Sequence, residues 1–427
     1  ANLGIVFTVR VAAVAADSFV ARVARLVEEA QLRRAPVRAL ADRVSGLFVP
    51  AVALLAAGTF FYWRLFPDSQ VSPLLAAVAV LVVACPCALG LATPTAILVA
   101  TGAAARRGIL FRGGDVLESA ARLTTAAFDK TGTLTEGRPR LLALHPAHGI
   151  ETEELLREAA RAEGGSLHPL GRAIIAAARD RGVLVESSGP GRTHAGLGIS
   201  CGAGLETLRV GSRAFLLREG IAVPEPLAVD AATEVHVARG ERYLGLLLLE
   251  DRLRPEAAAC LAALKRLGLH TALLTGDSPA VARRLAAEVH LDEVHAGLDP
   301  AAKGGWVAEE RQAGHRVLMV GDGINDAPAL AEADVACSLA GSTDIALDTS
   351  DIVLTRPDLG RLVEALTLAR RTLRIIRQNL FWAFLYNILA LPLAAAGQLA
   401  PIHAAAAMAL SSVCVVGNSL RLQGKEV

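Results

Sequence analysis

The sequence predicts a multidomain chain of mixed class, in which an open α/β domain with an insertion is joined to membrane-spanning helices. Three observations predict it. Hydrophobic residues make up 53% of the 427 residues and charged residues only 20%, which is apolar-rich for a soluble protein. Four long apolar runs, about 47–66, 74–105, 378–397 and 401–420, flank a middle region in two pairs, and each can cross a bilayer of roughly 30 Å. Between the pairs, residues 110–375 alternate short apolar strands with helical stretches, the pattern of a parallel sheet.

In chain order, residues 4–11 (GIVFTVRV) read as a strand. Asp17 then caps a helix carrying Phe19, Val20, Val23, Leu26 and Val27 at helical spacing. This is a strand and a helix without the rest of a domain around them, and Pro36 interrupts the next amphipathic stretch. Tyr62 and Trp63 sit near the end of the first apolar run, where aromatic residues favour the membrane interface. A polar turn from Pro67 to Pro73 leads to the second run, which Cys85-Pro86-Cys87 and Pro94 break. Pro392, Gly397 and Pro401 mark the turn between the last two runs. Four spans place both ends and the middle region on one side. The Lys and Arg content of that side assigns it to the cytoplasm of a multi-pass protein, as in a bacterial plasma membrane.

Within the middle region, strands are expected over 123–128, 243–249, 270–274 and 316–320, with helices over Pro255–Leu267 and Ala280–Val289. The interval 138–242 interrupts this alternation and reads as an inserted domain. A net charge of +1 implies no polyionic partner, and nothing resembles a nucleic-acid module. The six cysteines give no disulfide framework and contain no CxxC.

The strongest chemical signal is Asp129-Lys130-Thr131-Gly132-Thr133-Leu134-Thr135, directly after a strand. A carboxylate at the C-terminal end of a strand is an exposed nucleophile, and attack on phosphorus needs positive charge nearby. Thr275-Gly276-Asp277 follows the strand at 270–274, Lys303 precedes the next strand, and Gly321-Asp322-Gly323-Ile324-Asn325-Asp326 follows the strand at 316–320. All therefore fall at one sheet edge. Asp322 and Asp326 supply hard oxygen ligands suited to Mg²⁺, which would bridge the Asp129 carboxylate and a transferred phosphoryl group, with Lys303 neutralising phosphate charge. Any one of these pieces alone is better read as a capped turn; their order and placement together are not.

DKTGTLT, TGD and GDGINDAPAL resemble the signature set of the P-type ATPases. The resemblance implies a haloacid-dehalogenase-like Rossmann phosphorylation domain with an inserted α+β nucleotide-binding domain and four transmembrane helices. It implies an aspartyl-phosphate at Asp129, within the Asp129-Lys130-Thr131 signature, and Mg²⁺ held by Asp322 and the Thr131 carbonyl. Thr275, Gly276, Asp277 and Lys303 would line the phosphate site, and Asn325 and Asp326 would complete it. On this reading residues 1–30 are the end of an actuator domain, 31–110 hold an amphipathic helix and two spans, and 111–137 open the phosphorylation domain. Residues 138–242 bind nucleotide, 243–365 complete the phosphorylation domain, and 366–427 hold the last two spans. The TGE loop that directs water onto the aspartyl-phosphate does not occur in this sequence, so efficient dephosphorylation is not expected from these residues.

Ser166-Leu167-His168-Pro169-Leu170 is similar to the SEHPL motif of the heavy-metal branch, with Leu167 in place of Glu. The resemblance implies that His168 and Glu163 contact the adenine nucleotide of ATP, and that Gly196 and Gly198 let backbone approach it. Gly211-Ser212 stands where that branch has Gly-Asn, so Ser212 is the altered contact. A second pair, His145-Pro146, lacks this context and reads as a loop.

Cys85-Pro86-Cys87 lies within an apolar run. Proline kinks the helix there, freeing carbonyls beside two thiolates, and sulfur selects soft ions such as Cu(I), or Zn(II) and its relatives. The motif resembles the CPx-type ATPases. Tyr386-Asn387 and Met408 with Ser412 look like the Cu(I)-transporting branch, with Ag(I) as the related ion, whereas the Lys and Asp of the zinc, cadmium and lead branch are missing from these spans. Tyr386, Asn387 and Ser412 also fit interhelical hydrogen bonding. The partners implied are a lipid bilayer, ATP, the transported ion and a soluble metal chaperone. A Zn(II)/Cd(II)/Pb(II) exporter, a membrane-anchored haloacid-dehalogenase-type phosphatase and an inactive fragment remain open at this point.

Overall fold

The computed structural model describes residues 36–66, 71–84, 87–164, 166, 168–184, 191–194, 197–202, 204–225, 233–277, 279–322, 326–340 and 350–424. The strand and helix expected over 4–27, like the actuator remnant over 1–30, lie outside them.

In chain order the first half holds α1 (Pro36–Leu65), α2 (Pro73–Val83), α3 (Cys87–Arg106), β1 (Ile109–Phe111), α4 (Gly114–Ala120), β2 (Thr125–Asp129), β3 (Arg140–Pro146), α5 (Thr152–Ala162), α6 (Pro169–Asp180), β4 (Arg192–His194), β5 (Gly198–Cys201), β6 (Leu208–Gly211) and α7 (Arg213–Arg218). The second half holds β7 (Thr233–Arg239), β8 (Arg242–Glu250), α8 (Ala257–Arg266), β9 (His270–Leu274), α9 (Pro279–Val289), β10 (Glu293–His295), α10 (Pro300–Gln312), β11 (Val317–Gly321), α11 (Ala327–Glu332), β12 (Val335–Leu339), β13 (Ile352–Leu354), α12 (Gly360–Ala395) and α13 (Pro401–Leu420). Contacts divide the chain into two units. One takes in the described residues up to Thr124, Glu310–Leu318 and Ala333 onward; the other is Thr125–Glu309 with Met319–Glu332.

The first unit contains the apolar helices. Among the described residues three helices are long and apolar enough to cross a membrane: the segment Phe48–Leu65 of α1, α12, and Pro401–Gln423, which extends α13. The second apolar run is two helices rather than one, the 11-residue α2 and the 20-residue α3. The chain between them holds Cys85 and Pro86, which lie outside the described residues. Proline at the first helical position starts both α2 and α13, where its missing N–H has no partner to lose. Val52, Ala56, Val80, Val83, Ala394 and Ala404 form a small-residue core among α1, α2, α12 and α13. Such residues let helix backbones approach closely when no hydrophobic force separates helix from lipid. At 36 residues, α12 is ~54 Å long, more than a bilayer core requires.

The phosphorylation sheet has the order β1-β13-β12-β11-β2-β9-β10. Its pairs β12–β13, β2–β9 and β9–β10 are parallel, and β1 closes one edge antiparallel to β13. β2, β11 and β12 are buried along their whole length, as strands covered on both faces must be. The expectations over 270–274 and 316–320 are met by β9 and β11.

The second sheet has the order β3-β8-β7-β6-β5-β4, its neighbouring strands all antiparallel. Two expectations change here. The strand expected over 243–249 in the parallel sheet forms as β8 in this antiparallel one, between β3 and β7, so the insertion's sheet runs to Glu250 rather than ending at 242. Apolar composition alone does not say which sheet a buried strand joins. His145-Pro146, read as a loop, is the end of edge strand β3, with His145 opposite Leu246; an edge tolerates a terminal proline. Leu155, Leu156, Ile174, Val235, Val237 and Leu247 fill the core between this sheet and α5–α6. Phe215, Leu216 and Ile221 form a separate cluster around α7.

Candidate active site

β2 ends on Asp129, and the chain turns sharply over Lys130–Leu134, where Thr131 leaves helical geometry (φ −76°, ψ 126°) and Gly132 adopts φ 72°. Only glycine takes that left-handed conformation without strain. The turn is clamped from outside. Arg254 donates from Nε to the Thr133 carbonyl at 2.9 Å and from a terminal nitrogen to the Gly132 carbonyl at 3.0 Å. Thr135 donates to the Asp251 carboxylate at 2.6 Å and accepts from the Gly132 N–H at 3.1 Å.

Lys303, near the start of α10, is 5% exposed and donates to Asp129 Oδ1 at 2.5 Å and to Asp326 Oδ1 at 2.7 Å. Burial and then the Asp326 carboxylate push the Asp129 acid up to about 6 against the pull of Lys303, and Asp322 adds to the negative field. Burial works against the Lys303 ammonium, but Asp129 and Asp326 outweigh it and hold its pKa above the usual lysine value. Lys303 therefore stays charged, and the shortfall of positive charge falls on Asp129. Asp326 is fully buried, and its Oδ2 has no hydrogen-bond partner. A buried carboxylate oxygen without a partner, on one of two carboxylates sharing one ammonium in the field of a third, fits a hard divalent cation such as Mg²⁺.

Thr275 is buried and accepts the Asp277 N–H on its hydroxyl at 3.2 Å. The Asp277 carboxylate forms an ion pair with Lys130. Both line a cleft of about 520 Å³, together with Leu170, Glu250, Asp251 and Arg252. A Cβ on Gly276 would stand 3.3 Å from the Leu298 carbonyl, tight but not blocked. The structure thus brings Asp129, Lys130, Asp277, Lys303 and Asp326 together, with Asp322 in electrostatic reach of Asp129. Asn325 lies outside the described residues.

A second group gathers where α5 ends and α6 begins. Glu163 is 8% exposed, and its Oε2 has no hydrogen-bond partner. Burial holds its acid above the usual carboxylate range, with Ser166 and His168 pulling the other way. His168 caps α6, accepting the Leu170 N–H on Nδ1 at 3.3 Å, while its ring is exposed. Gly171, which no sequence motif marks, makes room for that carboxylate: a Cβ there would meet Glu163 Oε2 at 2.3 Å. A buried carboxylate with one oxygen free of partners, beside an exposed aromatic ring, suits a base with an exocyclic amine.

Gly198 faces Gly211 across β5–β6, and a Cβ on it would strike the Val210 carbonyl at 2.3 Å. The close approach it permits is thus between strands. Ser212 caps α7 by accepting the Phe215 N–H at 3.2 Å. Gly196 lies outside the described residues.

In the apolar helices, Tyr386 donates to the Ala404 carbonyl of α13 at 3.2 Å, and Ser412 donates back to the Met408 carbonyl at 3.2 Å. Asn387 and Met408 are half-buried. Cys87 opens α3, and Cys85 lies outside the described residues.

The haloacid dehalogenase-like hydrolase family matches residues 123–334, which hold every phosphate-site residue named above. The chain is 44% identical over 429 residues to a protein of Mycobacterium tuberculosis described as probable copper-exporting P-type ATPase V, covering 99% of this chain and 56% of that protein. It is 43% identical over 415 residues to the copper-exporting P-type ATPase of Bacillus subtilis, covering 95% of this chain and 52% of that one. The chain thus spans about half the length of these relatives. Among solved structures, a zinc-transporting PIB-type ATPase in an E2.Pi state aligns with a TM-score of 0.74 and 37% identity, covering 96% of this chain and 68% of that one.

Proposed function

The chain belongs to the heavy-metal P-type ATPases, and from that premise we propose that it is the catalytic and transport core of a membrane pump that exports Cu(I), or the related Ag(I), through an aspartyl-phosphate at Asp129. The observation that carries the catalytic part is the buried Asp129–Lys303–Asp326 cluster.

Asp129 Oδ1 is held by Lys303, which leaves Oδ2 to attack the γ-phosphorus of ATP. A new O–P bond forms as the bond from that phosphorus to the bridging oxygen breaks, and ADP leaves with the electron pair. Asp322, Asp326, the Thr131 carbonyl and Asn325 are the groups to hold Mg²⁺, which when bound neutralises phosphate charge and keeps the Asp129 carboxylate ionised. Lys303 stabilises charge on the transferred oxygens. The Lys130–Asp277 pair positions charge at the cleft mouth. Glu163 and His168 hold the adenine, the first by accepting from its amine and the second by stacking.

Cu(I) is favoured over Zn(II) by donor chemistry. Between residues 365 and 424 there is no Asp, Glu or Lys, while Met408, Tyr386, Asn387 and Ser412 are present alongside the Cys85 and Cys87 thiols. Thioether and thiolate donors select soft monovalent ions. The copper-exporting relatives agree in name, whereas the aligned solved structure transports zinc. ATP hydrolysis measured against Cu(I), Ag(I), Zn(II) and Cd(II) tests the choice. Stimulation by Cu(I) and Ag(I) is expected, and stimulation by Zn(II) without Cu(I) overturns it.

A further inference from the structure

α12 and α13 form a groove with two unlike ends. On α12, Gln378, Trp382 and Tyr386 line it at i, i+4 and i+8, so they fall on one face. Leu410, Cys414 and Asn418 line the facing side of α13. The cavity measures about 610 Å³.

One end of the groove is polar and ordered. Asn418 donates to Asn379 at 2.8 Å and to Gln378 at 3.4 Å, and Arg421 donates to Asn418 at 2.9 Å. Arg374 and Arg377 are exposed on α12 beside Gln378. Arg107, at the end of α3, donates to the Gly424 carbonyl at 3.1 Å, which brings Arg106 and Arg107 to the same end of the bundle. Neither 87–112 nor 365–424 contains an Asp or Glu. Five arginines therefore crowd this end, and the one carboxylate of α12, Glu364, sits in its first turns, paired with Arg361. It is also the end where α3 runs directly into β1 of the phosphorylation sheet. Away from it the groove turns apolar, with Trp382 61% and Leu410 64% exposed. Large apolar surfaces left open in this way mark an interaction site.

We propose that this groove binds an anionic glycerophospholipid, its headgroup phosphate against Arg377 and Arg421 and one acyl chain along Trp382 and Leu410. Charge and shape both point to that occupant. Guanidinium groups match phosphate oxygens in a two-pronged geometry, and anionic lipids concentrate in the cytoplasmic leaflet, on the side of the catalytic sheet. The Asn418–Gln378–Asn379 amides hold Arg421 in place and offer donors to the glycerol esters. The site rests on the chain spanning a bilayer and is independent of which ion is transported.

The test uses the full chain carrying Trp63→Phe, in which Trp382 is the tryptophan left in the apolar helices, reconstituted into phosphatidylcholine vesicles. Dibromo-phosphatidylglycerol or dibromo-phosphatidylcholine is titrated in, and Trp382 fluorescence is read. Quenching by the anionic lipid is expected at several-fold lower mole fraction than by the zwitterionic one. In Arg377→Gln/Arg421→Gln the two lipids should become equivalent, with far-ultraviolet circular dichroism unchanged. Ala407→Phe, which fills the groove but keeps both arginines, should reduce quenching by either lipid. Equal quenching by both lipids in the parent overturns the site. So does selectivity that survives the double substitution. Quenching by neither lipid overturns it also, since the groove then holds protein or lies outside the membrane.

Discussion

Glu163 shows a binding group kept at a cost to stability. Its carboxylate is buried, its Oε2 lacks a partner, and burial raises its pKa. A raised folded-state pKa means the folded protein holds the proton more tightly than the unfolded chain, so this group costs stability that accrues as pH rises past the unfolded value and is complete above the folded one. The cost vanishes below the unfolded value. Glu163→Gln removes the charge. We expect it to stabilise the nucleotide-free protein by on the order of 1 kcal/mol at neutral pH, with the gain fading as pH falls through the raised folded value and gone below the unfolded carboxylate pKa of about 4.3. The same variant should bind ATP roughly tenfold more weakly, the loss of about 1.4 kcal/mol that one hydrogen bond to a charged group supplies. Thermal melts across pH and calorimetric titration with nucleotide read the two effects. A loss of stability together with unchanged affinity would show that Glu163 is a structural residue. At the same scale, Asp129→Asn should abolish acid-stable labelling from γ-labelled ATP, because the amide cannot carry the phosphoryl group. Labelling that persists would sink the assignment of the nucleophile.

At the scale of elements, two devices hold the sites in place. The Asp129 turn depends on Arg254, which reaches it from the segment joining β8 to α8. Arg254→Met should leave the Gly132 and Thr133 carbonyls without their donor, costing about 1–3 kcal/mol. It should lower the phosphorylation rate more than the affinity for ATP, as single-turnover kinetics would show; an unchanged rate would mean the turn holds itself. The β5–β6 pair depends on two facing glycines. Gly198→Ala puts a Cβ 2.3 Å from a backbone carbonyl that cannot move aside, so a loss of more than about 2 kcal/mol is expected from overpacking and strain. A melting temperature within a degree of the parent would refute that account. These devices also mark what the sequence could and could not disclose. DKTGTLT, TGD and GDGIND were legible because catalysis fixes residue type at strand ends, where the fold has few alternatives. Arg254, Asp251 and Gly171 were not, because an arginine directly before Pro255 or a glycine inside a helix is ordinary until the structure shows what it touches. β8 differs from the sequence expectation for a similar reason. Its apolar run suits a central strand in either sheet, and the choice depends on long-range pairing with β3 and β7.

At the scale of the molecule, the proposal joins a phosphate site in one unit to an ion site among the apolar helices, and thermodynamic linkage makes that claim testable without knowing the path between them. If Cu(I) at Cys85 and Cys87 favours phosphorylation of Asp129 by some factor, then phosphorylation must change Cu(I) affinity by the same factor. Coupling free energies between distant sites commonly amount to about 1–3 kcal/mol, or roughly 5–150-fold. Cys87→Ser removes a soft donor while leaving every residue of the Asp129 site in place. We expect it to eliminate the rise in phosphoenzyme that Cu(I) produces in the parent, and to leave the level reached without added ion unchanged. Asp129→Asn should in turn still bind Cu(I), with an affinity that no longer responds to ATP and Mg²⁺. Phosphoenzyme measured by acid quench and Cu(I) affinity measured by competition with a chelator give the two halves of the cycle. If Cys87→Ser keeps its Cu(I) response, or if the two factors disagree in the parent, the thiols and the aspartate do not belong to one transport cycle. The haloacid-dehalogenase domain would then be acting as a phosphatase that happens to be anchored in a membrane.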